Sequence, residues 1–329
     1  MKILVTGANG FIGSNVVKRL LNEGCEVNVL VRKTSDLTFL KDLTVNYFYG
    51  DITEYNSIEP AVKGCDKVIH VAGLAADWGP YEKFEKINFK GTVNTAKAAA
   101  AAYVKRFVYI STVAFHGFGK TNVTENDPPA DNLIPYAQTK LMAEQWLWEY
   151  AKVVPMEITA VRPGNVFGIN DRTFMLKYID AMLSGKFGEI NHGKAKTCPV
   201  FIENLVDVIM LVMEENKAVN NAYIATDGLD ITWHQFNTKL AEKLGIKPQF
   251  SSIPFGVALT AAKIYYGIHS LLNIKSEPFL TPYRIYNGGL DYHFSIRKLK
   301  DHFNYKPKID LDTALDKTVS WFKQYKNLK

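Results

Sequence analysis

Cysteine is scarce in this sequence of 329 residues. The three cysteines, Cys25, Cys65 and Cys198, are odd in number, widely spaced and form no Cys-x-x-Cys pair. This pattern excludes a disulfide framework of the kind that stabilises small secreted proteins, and it is typical of reduced thiols. We also expect no signal peptide, because residues 2–6 already form an apolar strand pattern. The sequence therefore predicts a cytoplasmic protein.

Clusters of basic residues and metal-ligand motifs are missing as well. The chain has 39 basic and 33 acidic residues, a net charge of +6, without a basic run or an arginine-rich stripe. We therefore expect no nucleic-acid partner, whereas a modest positive charge suits an anionic cofactor or substrate. The seven histidines lack the spacing of metal ligands, and we predict no metal site.

The N-terminal half alternates between short apolar strands and helical segments. Strands are predicted at 2–6, 26–32, 44–49, 66–71, 104–110 and 156–162, and helices at 11–22, 54–63, 81–102 and 136–152. Strands separated by helices predict right-handed crossovers and a parallel sheet that is covered on both faces. Beyond residue 165 the elements become shorter and prolines more frequent. We predict a smaller, mixed α/β substrate lobe there.

A glycine-rich segment, TGANGFIG, joins the first strand to the first helix. Gly7 permits the tight turn, Gly10 allows the backbone to approach a pyrophosphate, and Gly13 allows close packing of helix on strand. The helix that starts with Phe11 and Ile12 offers free N–H groups and a positive dipole end to phosphates. The spacing is GxxGxxG, and its position between a strand and a helix favours a dinucleotide site over a mere structural turn. The fold class is thus α/β, a Rossmann-type doubly wound parallel sheet over 1–165, followed by the substrate lobe over 166–329. Some segments of that lobe are expected to return to the sheet.

Tyr136 and Lys140 form the second motif. They lie four residues apart in a predicted helix, so both side chains share a face. A nearby ammonium favours the phenolate, and we therefore expect a pKa of Tyr136 below the usual value of about 10. A phenol tuned in this way can donate or accept a proton at neutral pH.

Several motifs in a fixed order resemble the extended branch of the short-chain dehydrogenase/reductase superfamily, which includes the NAD-dependent epimerase/dehydratase family. They are TGANGFIG, Asp51-Ile52, His70-Val71-Ala72-Gly73, INFKGT, YISTVAFHG, Tyr136-x-x-x-Lys140 and RPGNVFG. The resemblance covers residues 1 to about 210 closely and the rest more loosely. It implies that Tyr136 is the catalytic acid/base, that Lys140 also binds the nicotinamide ribose, and that Thr112, rather than Ser111, holds the reacting oxygen.

The resemblance also implies most of the remaining contacts. Asp51 would accept a hydrogen bond from the adenine amino group and Ile52 would pack on the ring, although Asp51 could equally serve as a turn and helix cap. Further coenzyme contacts are expected at Val71, Ala72, Gly73, Asn88 and Pro163, and a substrate contact at Asn165.

The end of the second strand bears on coenzyme choice. An acidic residue there would bind a ribose 2′-hydroxyl and favour NAD. Instead, Arg32 and Lys33 follow the strand, and no carboxylate occurs before Asp36. Because a guanidinium can bind a 2′-phosphate through two hydrogen bonds, the segment favours NADP(H) over NAD(H). The alternative interpretation is that both are solvated loop charges.

The C-terminal part resembles the group of dihydroflavonol 4-reductases and 3β-hydroxysteroid dehydrogenases in several segments, among them 225–233 and 294–307. The apolar and aromatic segment 253–274 is too interrupted for a membrane span. We predict a helical lid over an apolar site or core of the lobe, and an interfacial membrane helix is the lesser alternative.

The leading hypothesis is an NADP(H)-dependent oxidoreductase that interconverts a ketone and a secondary alcohol on an apolar small molecule. The alternative is a nucleotide-sugar epimerase or dehydratase with tightly bound NAD. A third hypothesis, a coenzyme-sensing protein without turnover, is disfavoured because the whole acid–base set is present. The helices at 81–102 and 136–152 carry apolar residues on more than one side, and relatives pair through them, so we expect a homodimer.

Overall fold

The computed structural model describes residues 1–185, 187–272, 274 and 276–328. The strands are β1 (Lys2–Thr6), β2 (Glu26–Val31), β3 (Asn46–Tyr49), β4 (Lys67–His70), β5 (Arg106–Ile110), β6 (Lys120–Val123), β7 (Glu157–Pro163), β8 (Asn165–Phe167), β9 (Gly188–Ile190), β10 (Lys196–Thr197), β11 (Pro199–Phe201), β12 (Ala222–Ala225), β13 (Ile231–Thr232), β14 (Ser251–Ile253) and β15 (Tyr292–Phe294). The helices are α1 (Phe11–Asn22), α2 (Tyr55–Val62), α3 (Tyr81–Phe84), α4 (Gly91–Ala101), α5 (Pro135–Tyr150), α6 (Met175–Leu183), α7 (Ile202–Glu214), α8 (Trp233–Leu244), α9 (Phe255–Leu271), α10 (Pro282–Gly289), α11 (Arg297–Phe303) and α12 (Leu311–Tyr325).

Seven parallel strands form the central sheet, in the order β12-β7-β5-β4-β1-β2-β3. Side chains alternate between the two faces, so that Ile3 and Val5 join the core beneath α1 and α7, whereas Leu4 joins the core beneath α2, α4 and α5. Burial on both faces explains why these strands are continuously apolar in sequence. The predicted doubly wound α/β fold is confirmed.

The strand order reverses between β1 and β4. From β1 the chain adds β2 and β3 on one side, and then β4, β5, β7 and β12 on the other. In a sheet of this type, the crevice for ligands opens at the carboxyl ends of the strands at such a reversal. The motifs that follow β1, β4 and β5 are therefore brought to one edge.

The predicted single helix over 81–102 is wrong in its middle. A π-helical segment, Glu85–Lys90, separates α3 from α4. Its wider turn contains Asn88, which is fully buried, and the Thr92 hydroxyl donates to the Asn88 carbonyl at 2.6 Å. Such single wide turns occur mostly at functional sites, and this one points at the crevice.

The chain beyond residue 165 contributes both to the sheet and to the lobe beside it. Strand β12 pairs with β7 and completes the central sheet, while the pairs β8–β11, β9–β14, β10–β13 and β6–β15 support the lobe. Helix α8 begins at Trp233 because Thr232 and Gln235 form a capping box. The division of the chain at residue 165 stays a prediction. Among the described helices, none has both the length and the apolar character that a bilayer crossing requires.

Candidate active site

The glycine loop between β1 and α1 fits closely against its neighbours. Gly7 has φ +66°, and a Cβ there would lie 2.7 Å from the backbone of Ala72. A Cβ at Gly13 would lie 2.2 Å from the Gly7 carbonyl oxygen. No side chain caps α1 at Gly10, so the N–H groups at the start of the helix, at Phe11 and Ile12, are available to an external acceptor. This loop is a cradle that phosphate oxygens fit.

A buried row of hydrogen bonds fixes the turn after β4. Thr6 Oγ1 lies 2.8 Å from His70 Nδ1, and His70 Nε2 lies 3.0 Å from Thr92 Oγ1. Burial, followed by the charge of Lys140, lowers the pKa of His70 to about 3, so the imidazole is neutral. Thr6 also accepts a hydrogen bond from the Ala72 N–H at 3.3 Å. The turn Val71–Gly73 is thus held against the glycine loop, and its contact with the coenzyme stays a prediction.

Thr112, Tyr136 and Lys140 converge at the carboxyl end of β5. Helix α5 begins with Pro135 in its first turn, which places Tyr136 at the crevice and Lys140 one turn deeper. Burial raises the pKa of Tyr136, while a hydrogen bond with the Thr112 side chain opposes that shift. The expected lowering of this pKa is therefore wrong for the structure, because desolvation of the phenolate outweighs the favourable contacts.

Lys140 itself is enclosed. Its side-chain nitrogen donates to the Ile110 carbonyl at 2.5 Å and lies 4.0 Å from the ring centre of Tyr109. Burial lowers the pKa of Lys140 to about 7, although the charge of Glu144 acts in the opposite direction. The amine can therefore change its protonation state near neutral pH, one helical turn from Tyr136.

Asn88 connects the π-helical segment to this group. Its Oδ1 accepts from the Leu74 N–H at 2.7 Å, and its Nδ2 donates to the Leu74 carbonyl and to Thr139, both at 3.2 Å. A Cβ at Gly73 would lie 3.2 Å from Asn88 Oδ1 and 4.0 Å from Lys140 Nζ. Asn88 therefore holds the backbone beside the lysine, and its predicted contact with the coenzyme stays a prediction.

Sequence reasoning missed Glu144, which lies one turn beyond Lys140. Its buried carboxylate accepts from Ser111 Oγ at 2.5 Å and from Arg162 Nη2 at 2.5 Å. Ser111 thus turns towards this ion pair and Thr112 towards Tyr136, and the predicted role of Thr112 stays a prediction. The signal that could have revealed Glu144 is its spacing of four from Lys140, which puts an acidic residue on an inward face.

The predicted coenzyme-selecting residues lie in an exposed loop after β2. Arg32 and Lys33 are exposed, and neither side chain has a hydrogen-bond partner among the described residues. Asp36, the first carboxylate of the loop, accepts from the Thr38 hydroxyl at 2.6 Å and pairs with Arg172 at 2.5 Å. These contacts lower the pKa of Asp36. Asp36 therefore already has a partner, whereas the side chains of Arg32 and Lys33 have none among the described residues.

Asp51 and Ile52 follow β3 in a tight turn. One carboxylate oxygen of Asp51 accepts from the Thr53 N–H at 2.9 Å, which is the turn-forming role considered above. Ile52 is buried and fills the space above Gly91, where a Cβ would lie 2.6 Å from its side chain. Asp51 thus forms the turn but does not cap α2, whose N-cap is Glu54, and its contact with adenine stays a prediction.

Pro163 and Asn165 lie where β7 leads into the lobe. The Pro163 carbonyl accepts from the N–H of Val113 at 3.2 Å, which ties β7 to the segment after Thr112. The Asn165 side chain exchanges hydrogen bonds of 3.2 and 3.3 Å with Asn287 of α10. Asn165 is thus positioned between sheet and lobe, and its contact with substrate stays a prediction.

The assembled site can bind a dinucleotide and move a proton. The glycine cradle, the fixed turn after β4 and the enclosed lysine fit a nicotinamide dinucleotide, since they offer phosphate donors and a ribose-side cation. In the part of the chain that the structure describes, no three His, Cys, Asp or Glu side chains are grouped to hold a metal ion.

Comparisons with known proteins agree with this geometry. Residues 3–225 match the sequence model of the NAD dependent epimerase/dehydratase family. The chain is 26% identical to a 4-hydroxy-2-methyl-3-oxo-4-farnesyl-3,4-dihydroquinoline-1-oxide ketoreductase of Stigmatella aurantiaca, covering 96% of this chain and 95% of that protein. It is 28% identical to the decarboxylating sterol-4-alpha-carboxylate 3-dehydrogenase of Mus musculus, over 98% and 91% of the two chains. The crystal structure of the UDP-glucose 4-epimerase of Thermotoga maritima superposes with a TM-score of 0.81 at 21% identity, over 99% of both chains.

Proposed function

The chain belongs to the NAD dependent epimerase/dehydratase family, and we propose that it is an NADP(H)-dependent oxidoreductase that interconverts a ketone and a secondary alcohol on an apolar small molecule. That it is an NAD(P)-dependent enzyme of the extended short-chain dehydrogenase/reductase type follows from the family and its oxidoreductase relatives. The observation that carries the proposal is the convergence of Thr112, Tyr136 and Lys140 beside the glycine cradle.

Each of the three side chains has a role in the proton transfer. In the direction of reduction, the Tyr136 hydroxyl donates its proton to the carbonyl oxygen of the substrate. The Thr112 hydroxyl donates a hydrogen bond to the same oxygen and orients it. Lys140 binds the ribose hydroxyls and, when protonated, stabilises the phenolate that Tyr136 becomes. When bound, the nicotinamide supplies or accepts the hydride at the carbonyl carbon.

The free cations at the end of β2 support NADP(H) as the coenzyme. Asp36 is paired with Arg172, so it cannot readily accept from a ribose 2′-hydroxyl. Arg32 and Lys33 are exposed and, within the described residues, unpaired, as required for binding a 2′-phosphate.

The aromatic surroundings of Tyr136 support an apolar substrate. Tyr283 of α10 lies close enough to Tyr136 for the charge of Tyr136 to raise the pKa of Tyr283. Its ring meets Phe118 edge-on at 5.3 Å, and Phe118 also packs against Tyr292 at 4.6 Å. Two relatives are named for acting on farnesyl and sterol compounds, and an aromatic wall of this kind suits a substrate of that character.

The nucleotide-sugar alternative has less support, because it needs arginines that bind a diphosphate. After residue 172 the chain has only Arg284 and Arg297. Arg284 is paired with Asp77 and Glu277, and Arg297 is exposed and pairs with Asp301. The likeness to an epimerase at 21% identity concerns the fold alone.

We also propose a reducing, cytoplasmic location. Cys25, Cys65 and Cys198 are all free thiols, and the last two are buried. Burial raises the pKa of Cys65 to about 11 and that of Cys198 to about 12, so both are unreactive at neutral pH.

Substitution of Tyr136 tests the proposed reaction. We expect Tyr136→Phe to lower kcat for NADPH-dependent ketone reduction by at least a thousandfold, because the ring stays but the proton donor is lost. Binding of NADPH, measured by fluorescence titration, should remain within about threefold of the wild type. Tyr103→Phe, at a residue that is 90% exposed, is the matched control.

Three outcomes separate the hypotheses. Retained turnover in Tyr136→Phe would remove this residue from the mechanism. NAD that copurifies with the protein and does not exchange would support the epimerase or dehydratase instead. Exchangeable binding of NADPH, with no turnover of any ketone or alcohol in a broad absorbance screen, would support a sensor.

A further inference from the structure

Helix α9 presents a row of apolar side chains to the outside. Val257, Ile264, Ile268 and Leu271, here called the α9 stripe, are separated by seven, four and three residues and so share one helical face. Their exposed fractions are 61, 60, 46 and 85%. An exposed apolar strip of this length is unusual on a protein that works alone in water.

The opposite face of α9 is the one that packs on the lobe. Ala258 and Ala262 are buried against Ile285 of α10. The helix is therefore anchored along one side, and the α9 stripe cannot be the side that faces the core.

The sequence of α9 and its flanks is poor in acidic residues. From residue 243 to residue 276 it contains four lysines and no aspartate or glutamate, although Lys243 is paired with Asp316 of α12. The chain as a whole has 33 acidic residues among 329, so 34 residues without one are a local feature. Lys263 of α9 is exposed, and an apolar strip beside an exposed lysine complements a surface that is apolar within and anionic at its boundary.

The α9 stripe lies beside the candidate site. On the same helix, the Tyr266 ring meets the Trp78 ring edge-on at 4.7 Å. Trp78 belongs to the segment that continues from Gly73, and its neighbour Asp77 is held by Arg284 of α10 at 2.9 Å. A surface that contacts α9 would therefore lie next to the wall of the substrate crevice.

We propose that the α9 stripe docks on the surface of an anionic lipid bilayer, with α9 lying in the plane of the membrane. The expected benefit of docking rests on the proposed function: an apolar substrate would reach the crevice directly from the lipid phase. Docking by this helix requires no membrane-crossing segment. A second copy of this chain is the competing occupant, but the α9 stripe lacks the flanking acidic charges that would pair with the lysines of a copy.

Vesicle cosedimentation of the full chain tests the proposal. We expect the wild type to bind vesicles of phosphatidylcholine with phosphatidylglycerol at least fivefold more strongly than vesicles of phosphatidylcholine alone. The double variant Ile264→Gln/Leu271→Gln should bind the anionic vesicles at least tenfold more weakly. Val153→Gln, at an apolar residue that is 77% exposed after α5, should bind like the wild type. Both α9 positions are exposed, and thermal unfolding followed by circular dichroism checks that the double variant is folded.

The other outcomes decide against the proposal. Wild-type protein that does not sediment with either vesicle would overturn it, as would equal binding by the wild type and the double variant. A loss of oligomer mass in the double variant, without vesicle binding by the wild type, would assign the α9 stripe to a second copy. The assay needs no turnover, so its result is independent of whether Tyr136→Phe behaves as proposed. Reduction of a water-soluble ketone by the double variant should stay unchanged.

Discussion

At the scale of single residues, the proposed preference for NADP(H) rests on the loop after β2. Arg32 is exposed and unpaired in the described part of the chain, and Asp36 is engaged by Arg172. A guanidinium on a phosphate contributes about 1.5–3 kcal/mol, because both partners are charged. The preference for NADPH should therefore depend on this one side chain.

We expect Arg32→Ala to reduce the ratio of the NADH to the NADPH dissociation constant at least tenfold, mainly by weakening NADPH. Fluorescence titration with both coenzymes measures it. Arg297→Ala removes an exposed arginine that pairs with Asp301 and should leave the ratio unchanged. An unchanged ratio in Arg32→Ala would mean that Arg32 is a solvated loop charge.

Lys140 should also make the free energy of unfolding depend on pH. Its pKa is about 7 in the folded protein against 10.5 for an ordinary lysine. Between these values the unfolded chain binds more protons than the folded one, so the free energy of unfolding rises with pH through this window. Below pH 7 both states carry the proton and the contribution is constant.

Between pH 7 and pH 9, the wild type should gain about 1–2 kcal/mol of unfolding free energy relative to Lys140→Met. Urea unfolding at the two pH values measures this difference. Lys18→Met, at an exposed lysine of α1, should follow the wild type. Parallel curves for wild type and Lys140→Met would show that the lysine stays charged when buried.

At the scale of elements, the sequence predicted six strands of the central sheet but neither β12 nor the π-helical segment. The six predicted strands agree with the structure within two residues at each end. Five of them are buried on both faces and form apolar runs, whereas β3 lies at the edge of the sheet and is partly exposed. Strand β12 has only four residues, AYIA, and its place beside β7 depends on pairing with residues about sixty positions earlier. No local pattern carries that information.

The π-helical segment could not be predicted from the local sequence either. The sequence of 81–102 favours a continuous helix, yet the buried hydrogen bonds of Asn88 to Leu74 require one wider turn. Similarly, the motif spacing predicted that Tyr136 and Lys140 share a face, and the resemblance added Thr112, whereas the raised pKa of Tyr136 depends on how much of the ring is buried. Burial and the partners of a carboxylate such as Glu144 arise from tertiary packing, which spacing alone does not specify.

At the scale of the whole molecule, the surface formed by the π-helical segment, α4 and α5 bears on the predicted homodimer. A cavity of about 640 Å³ opens between the π-helical segment, α4 and α5, and it is lined in part by Phe89 and Trp146. The Trp146 ring stacks on Tyr150 at 4.6 Å. The resemblance to the extended short-chain family implies that these helices pair with those of a second copy.

Trp146→Glu should therefore convert a dimer into a monomer of 37.1 kDa, because a carboxylate would be buried in an apolar interface. Size-exclusion chromatography with light scattering measures the mass. Tyr103→Glu, in the exposed turn after α4, should leave the dimer intact. A wild type that is already monomeric at micromolar concentration would refute the predicted homodimer.

The position of β12 means that the first 165 residues do not complete the central sheet by themselves. Strand β7 ends the first 165 residues, and its outer edge is covered by a strand that the chain supplies only at Ala222–Ala225. A coenzyme half cut away on its own would present that bare edge to any other unpaired strand. Residues beyond 165 thus complete the sheet of the first 165, so a replacement for them would have to bring its own edge strand.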